Sequence, residues 1–164
     1  MAMMPEVSVG NDGELSLADK LAVVTRGVPT VGDYRRAAPL RALCFTRQAP
    51  GSMRDVPVQR AVFTAACAAR GWVPGASVSQ IGPGWRAWSA VVRMVGSGSH
   101  DVVVVDTWER LASTEAGQMR VLALLRRAGV RLLVAREGID TGEQVGYGLV
   151  SSLLGIWGRV AVAR

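Results

Sequence analysis

Four consecutive valines at positions 102–105, enclosed by Asp101 and Asp106, place the strongest constraint on how this chain folds. A short run of β-branched side chains between charged residues is typical of a strand that is buried on both faces of a sheet. We therefore expect residues 101–106 to form the centre of a sheet.

Strand and helix patterns alternate on both sides of this central strand. Further strands are predicted at residues 40–45, 76–81 and 130–135, and helices at 58–70, at 85–95, from Thr114 to Gly129 and at 143–162. This alternation predicts an α/β fold with a mostly parallel central sheet, helices on both faces and a long C-terminal helix. The strands at 40–45 and 130–135 are expected to flank the central one.

The length of the chain indicates one main domain. Its 164 residues, 49% of them hydrophobic, are enough for one well-buried core and too few for two full domains. Residues 1–38 are predicted to form an extension with a short helix and a linker. Residues 39–164 are predicted to form the main domain.

Several classes of protein are not expected. The apolar stretch at 145–163 is interrupted by two serines and Arg159, so it falls short of a membrane span. The first residues lack the basic and apolar regions of a secretion signal, so a cytoplasmic protein is expected. Cys44 and Cys67 fall in apolar segments, where buried thiols are more common than a disulfide. With His100 the only histidine, neither a metal site nor a cofactor is expected.

The net charge of +6 suggests an anionic partner such as nucleic acid. There are four basic and five acidic residues before Pro39 and fifteen and eight after it, so the whole positive surplus lies in the predicted main domain. The basic residues are nearly all arginine in a chain rich in Ala, Val and Gly, and a GC-rich genome produces the same bias. Weak DNA binding is therefore an expectation that charge alone does not decide.

Several short blocks of sequence resemble the catalytic domain of serine recombinases, the resolvase/invertase family. They are QRA, AARGW, DVVVV, ERL, LL, AGV and EGIDT, at residues 59–61, 68–72, 101–105, 109–111, 124–125, 128–130 and 137–141. Their order and spacing match over roughly residues 40–164. The resemblance implies a resolvase-like fold. The separate DNA-binding domain that follows the long helix in complete recombinases is not expected here.

The resemblance also implies a site for phosphoryl transfer. In the family, a serine shortly after the first strand attacks a DNA phosphate, while arginines stabilise the charge on the phosphoryl oxygens. Here Arg47 matches the arginine two residues before that serine, and Ala49 stands in the serine's place. A methyl group cannot attack phosphorus. Ser52 is the alternative nucleophile, although a serine beside Gly51 is more often a turn residue.

Two further departures concern the residues that would bind phosphate. Arg110 keeps the first arginine of the family's double-arginine pattern, whereas Ser113 replaces the second. The loop at 77–85 is shortened and lacks the family's aspartate, and Arg86 after it is a candidate for a further site arginine. Arg47, Arg86 and Arg110 are therefore predicted to form an anion-binding pocket. The alternative is that they are solvated, or paired with Glu109 and Asp106.

Aromatic and apolar side chains suggest two further roles. Trp85 and Trp88 have the character of base-stacking residues, but packing in the core or an interface is the favoured interpretation. An apolar stripe on the C-terminal helix contains Leu149, Leu153, Ile156 and Trp157. It is expected to pair subunits or bind a protein partner, and the alternative is that it folds back onto the domain.

Three functional hypotheses follow from these residues. The first is a pseudoenzyme, a resolvase-like module that does not recombine DNA and acts by oligomerising, by binding a protein partner, or as an accessory DNA-associated domain. The second is an active site-specific serine recombinase that uses Ser52 or a partner's active site. The third is a binder of a nucleotide or phosphate ligand that uses the remaining arginines.

Overall fold

The computed structural model describes residues 38–48 and 55–162, and within them five strands form one sheet. The strands are β1 (Arg41–Gln48), β2 (Val73–Ile81), β3 (Val102–Val105), β4 (Arg131–Val134) and β5 (Ile139–Asp140). Their order is β2-β1-β3-β4-β5. The first four are parallel, and β5 runs antiparallel to β4. β3 lies between β1 and β4, as the valine run predicts.

Helices cover both faces of the sheet. They are α1 (Asp55–Arg70), α2 (Arg86–Gly96), α3 (Glu115–Arg127) and α4 (Gln144–Val162), with a 3₁₀ turn at Trp108–Arg110 after β3. α1 packs against one face, where Cys44 and Val104 point. The other three helices pack against the opposite face, where Phe45 and Val103 point. The alternation of side chains along each strand thus separates two apolar layers, and the predicted fold class is confirmed.

Strand β2 starts three residues earlier than predicted, at Val73. Pro74 and Gly75 argue against a strand in the middle of a sheet, but β2 lies at the edge, where proline is tolerated. The His100 side chain occupies the space beside Gly75, and a methyl group added there would also lie 2.9 Å from the Ala42 carbonyl oxygen. His100 Nε2 accepts a hydrogen bond from the Ala76 amide at 3.0 Å.

Both ends of α3 lie close to the positions that the sequence predicts, Thr114 and Gly129. The Thr114 side chain accepts a hydrogen bond from the Gly117 amide at 3.1 Å, which caps the first turn. The helix is followed by Gly129 at φ +68°, a conformation that glycine adopts without strain. Arg126 and Arg127 lie in the last turn, where the helix dipole favours positive charge.

The predicted apolar stripe on α4 divides between two environments. Leu153 and Trp157 pack against the core together with Val150. Leu149 and Ile156 are 43% and 54% exposed. The predicted stripe is therefore divided, with Leu149 and Ile156 exposed and Leu153 and Trp157 packed against the domain.

Cys44 and Cys67 are buried free thiols, as predicted. Burial raises the pKa of both thiols, because the charged thiolate is poorly solvated in the core. No described helix is long and apolar enough to cross a membrane. Within the described ranges, no group of three or more His, Cys, Asp or Glu side chains is placed to hold a metal ion.

Some predictions concern residues that the structure does not describe. These are the N-terminal extension up to residue 37, together with Ala49 and Ser52, which follow β1. The division into an extension at residues 1–38 and a main domain at 39–164 therefore stays a prediction. The roles of Ala49 and Ser52 stay predictions as well.

Candidate functional site

The candidate site lies where β1, β2 and β3 end, at the carboxyl edge of the sheet. Ligands of open α/β sheets usually bind at this edge. A cavity of about 310 Å³ is found here, lined by Arg47, Gln48, Gly82, Pro83, Glu109, Arg110 and Ser113. The structure therefore brings Arg47 and Arg110 to one place, although 63 residues separate them in the sequence.

The Arg47 guanidinium is held by backbone carbonyl groups. It donates to the carbonyl oxygens of Gly84 at 2.9 Å, Gly82 at 3.1 Å, Arg110 at 3.3 Å and Leu111 at 3.4 Å. The residue is only 5% exposed, and burial lowers the pKa of its side chain. Since these carbonyls belong to the loops after β2 and β3, Arg47 joins the two loops to the end of β1.

The backbone of Arg47 is fixed from the other side by Gln59 of α1. The Gln59 side chain accepts from the Arg47 amide at 3.0 Å and donates to the Arg47 carbonyl at 2.9 Å. Gln59 is 1% exposed, so this pair of hydrogen bonds is shielded from water. In the sequence, Gln59 stands out only as the first residue of the QRA block at 59–61. The signal available there was an amide at a helical position that faces the core.

Arg110 is paired with a carboxylate that sequence analysis missed. Its guanidinium forms an ion pair with Asp55, the first residue of α1, and also donates to the Arg47 carbonyl at 3.4 Å. Glu109 is exposed. Asp106 is buried and pairs with Arg136 at 2.5 Å. The predicted alternative partners of Arg110, which were Glu109 and Asp106, were therefore wrong. Asp55 was not predicted as a partner because the helix was expected to begin at residue 58, whereas α1 begins at Asp55.

Arg86 does not join the other two arginines in this cavity. It is the first residue of α2, is exposed, and is not among the residues that line the cavity. Of the three predicted anion-binding residues, the structure thus brings together Arg47 and Arg110. Both guanidinium groups have partners within the protein.

The two tryptophans near the site have different environments. Trp88 is fully buried, stacks on Phe45 with ring centroids 3.9 Å apart, and donates through Nε1 to the Leu111 carbonyl at 2.8 Å. It is a core residue, as the favoured interpretation has it. Trp85 is 47% exposed and lines a second hollow of about 220 Å³ with Ser113 and Arg120, so core packing does not describe it.

The cavity as a whole has little unbalanced positive charge. The Arg47 charge faces four carbonyl dipoles, the Arg110 charge faces Asp55, and Glu109 adds a negative charge at the rim. An incoming phosphate would have to replace these internal partners before it could bind both arginines. The geometry is suited to holding loops together and poorly suited to clamping a phosphoryl group.

The sequence matches no protein-family model and no curated protein. The fold, by contrast, is similar to that of three solved serine recombinase structures. The N-terminal catalytic domain of TP901-1 integrase matches with a TM-score of 0.65 and 18% identity, over 76% of this chain and 98% of that one. A resolvase family site-specific recombinase from Streptococcus pneumoniae matches with a TM-score of 0.57 and 15% identity, over 76% and 91%.

The third structure is the C-terminal catalytic domain of ISC1926 TnpA, an IS607-like serine recombinase. It has a TM-score of 0.50 and 22% identity, over 58% of this chain and 70% of that one. At these identities the likeness concerns the fold, and the chain has the fold of a serine recombinase catalytic domain.

Proposed function

We propose that this chain is a catalytically inactive resolvase-like module that acts by associating through α4, either with a second copy of itself or with a protein partner. Contact with DNA is accessory to this role. An exposed apolar surface on α4 and a site whose arginines are bonded within the protein support this role.

The observation that carries the proposal is an exposed stripe on α4, which shares only Leu149 and Ile156 with the predicted stripe. It consists of Val145, Leu149, Ile156 and Val160, which are between 43% and 84% exposed. At about 100° per residue, these four side chains fall within an arc of roughly 60° on the helix. Four exposed aliphatic side chains along one side of α4 form the kind of surface that a partner covers.

The internal partners of Arg47 and Arg110 support the absence of catalysis. Family chemistry would use such arginines to stabilise charge on a phosphoryl group. Here one guanidinium is bonded to carbonyl groups and the other to Asp55. Together with alanine at position 49, where the resemblance places the serine nucleophile, this favours a structural role for the site.

Sedimentation velocity tests the association. We expect the wild-type protein to sediment as a dimer or larger species, and the double variant Leu149→Asp, Ile156→Asp to sediment as a monomer. Both residues are exposed, so the variant should fold. Trp157 is left unchanged because it packs against the core.

Val162→Asp is the matched control. Val162 is also on α4 and is 88% exposed, but it lies well outside the arc of the stripe. It should associate as the wild type does. A wild-type protein that remains monomeric at all concentrations, or a control that dissociates equally, contradicts self-association through this stripe.

A further inference from the structure

A third cavity lies at the amino end of β4, at the opposite edge of the sheet from Arg47 and Arg110. It measures about 380 Å³ and is bounded by the end of α3, by β4 and by the first half of α4. Leu122, Leu125, Leu132 and Val150, all buried, form its apolar floor. Its volume falls in the range of pockets that hold small molecules, roughly 300–1,000 Å³.

Most of the polar groups around this cavity are already occupied. Arg131 makes two hydrogen bonds to Asp140, at 2.9 and 2.7 Å, and its charge is thereby neutralised. The Thr141 hydroxyl accepts from the Leu132 amide at 2.8 Å. The last carbonyls of α3 accept from amides of residues 128–130. These groups therefore have little capacity left for a ligand.

Two side chains at the cavity are different. Among the described residues, Arg126 has no carboxylate within ion-pair distance; its contacts are with Tyr147, whose ring lies 5.3 Å from the guanidinium carbon and whose hydroxyl is 3.5 Å from Nη2. The Ser151 hydroxyl oxygen is buried without a hydrogen-bond partner. Rotation of the Ser151 side chain about its Cα–Cβ bond to another rotamer would turn this hydroxyl toward an acceptor in the cavity that the residue lines.

We infer that this cavity is a binding site for a small amphipathic carboxylate. The apolar body of the ligand lies on the leucine floor, and its carboxylate accepts hydrogen bonds from Arg126 and Ser151. An anion balances the one guanidinium at the cavity that lacks a negative partner, and it satisfies the buried hydroxyl. Tyr147 lines the cavity beside Arg126.

Calorimetric titration of the full chain tests this inference. The probes are octanoate, 4-phenylbutyrate and 2-naphthoate, which differ in the shape of the apolar part, with octanol as the uncharged counterpart of octanoate. We expect at least one carboxylate to bind at one site per chain, and octanol to bind more weakly than octanoate. Absence of binding for all three carboxylates, or equal affinity for octanol and octanoate, overturns the inference.

Paired variants locate the site. Arg126→Gln should weaken carboxylate binding about five- to tenfold, as expected for loss of a partly exposed charge-assisted hydrogen bond, whereas the neighbouring Arg127→Gln should not change it. Ser151→Ala should weaken binding, whereas Ser152→Ala should not. Both control residues are exposed and lie outside the cavity lining. Thermal melting confirms that each variant is folded, and equal affinity of Arg126→Gln and the wild type overturns the inference.

Discussion

Arg47 shows how a single charged side chain can be kept inside a protein without a carboxylate. Its guanidinium is surrounded by carbonyl oxygens of two loops, and Gln59 binds both polar groups of its backbone. Carbonyl dipoles replace the water that the charge would otherwise bind, at the cost of a lowered pKa. The hydrogen bonds of Arg47 therefore hold together the end of β1 and the loops after β2 and β3.

Arg47→Ala should destabilise the fold by about 2–4 kcal/mol, because it leaves several carbonyl groups of a buried network without a donor. Arg86→Ala, at an exposed position, should change the free energy of unfolding by less than about 0.5 kcal/mol. Urea denaturation followed by circular dichroism measures both. If Arg47→Ala lowers the free energy of unfolding no more than Arg86→Ala does, the hydrogen bonds of Arg47 contribute little to stability.

Whether the protein can form a covalent bond to DNA also depends on single residues, above all on the residue at position 49. We expect no covalent adduct when the protein is incubated with supercoiled DNA and analysed by denaturing electrophoresis, because alanine offers no nucleophile. Ala49→Ser alone should remain inactive, since Arg47 and Arg110 are held by internal partners. Ala49→Ser combined with Ser113→Arg is the fair positive test. An adduct formed by the unmodified protein and abolished by Ser52→Ala would instead favour the recombinase hypothesis.

At the scale of elements, α4 is attached to the domain by close packing at its first turn. A methyl group added to Gly146 would lie 2.6 Å from the carbonyl carbon and 2.9 Å from the amide nitrogen of Asp140. The Asp140 side chain is in turn fixed by Arg131 of β4. The start of α4 is thus positioned by a glycine contact and an ion pair in β4 and β5.

Gly146→Ala should therefore lower the free energy of unfolding by about 1–3 kcal/mol through overpacking against Asp140. Gly148→Ala, on the same helix with open space around it, should be neutral or stabilise by up to about 1 kcal/mol, as alanine favours helix. Thermal unfolding of the two variants measures the difference. Equal melting temperatures would mean that the helix shifts to accommodate the methyl group.

The sequence predicts these elements well where one local pattern decides them. The valine run is sufficient for β3, since its side chains are buried on both faces. It is not sufficient for the faces of α4, because Leu149 and Trp157 lie only about 80° apart on a helix and the pattern does not say where the core ends. Nor does any local pattern pair Arg110 with Asp55, or reveal that the partners of Arg47 are backbone carbonyls. Such contacts depend on the path of the chain.

At the scale of the whole molecule, net positive charge is the property most relevant to nucleic acid. The chain carries +6, and several arginines are exposed, among them Arg86, Arg120 and Arg127. Exposed arginines attract phosphates without reading sequence. These exposed charges are the basis for the DNA binding that we predict.

We expect weak binding to DNA of any sequence, with a Kd in the range of roughly 10⁻⁴–10⁻⁶ M near physiological salt. The affinity should fall steeply between 50 and 200 mM salt as counterion release loses its advantage. Fluorescence anisotropy with two labelled duplexes of unrelated sequence measures this. Binding that ignores salt, or that strongly prefers one duplex, would contradict a purely electrostatic contact.

The hydrogen bonds of Arg47 also affect which substitutions a chain of this fold can accept during evolution. A side chain bonded in this way can be retained by selection for folding alone, because replacing it removes the hydrogen bonds that hold two loops. The presence of a buried arginine at such a position is therefore explained by the stability of the fold and does not by itself indicate a reaction.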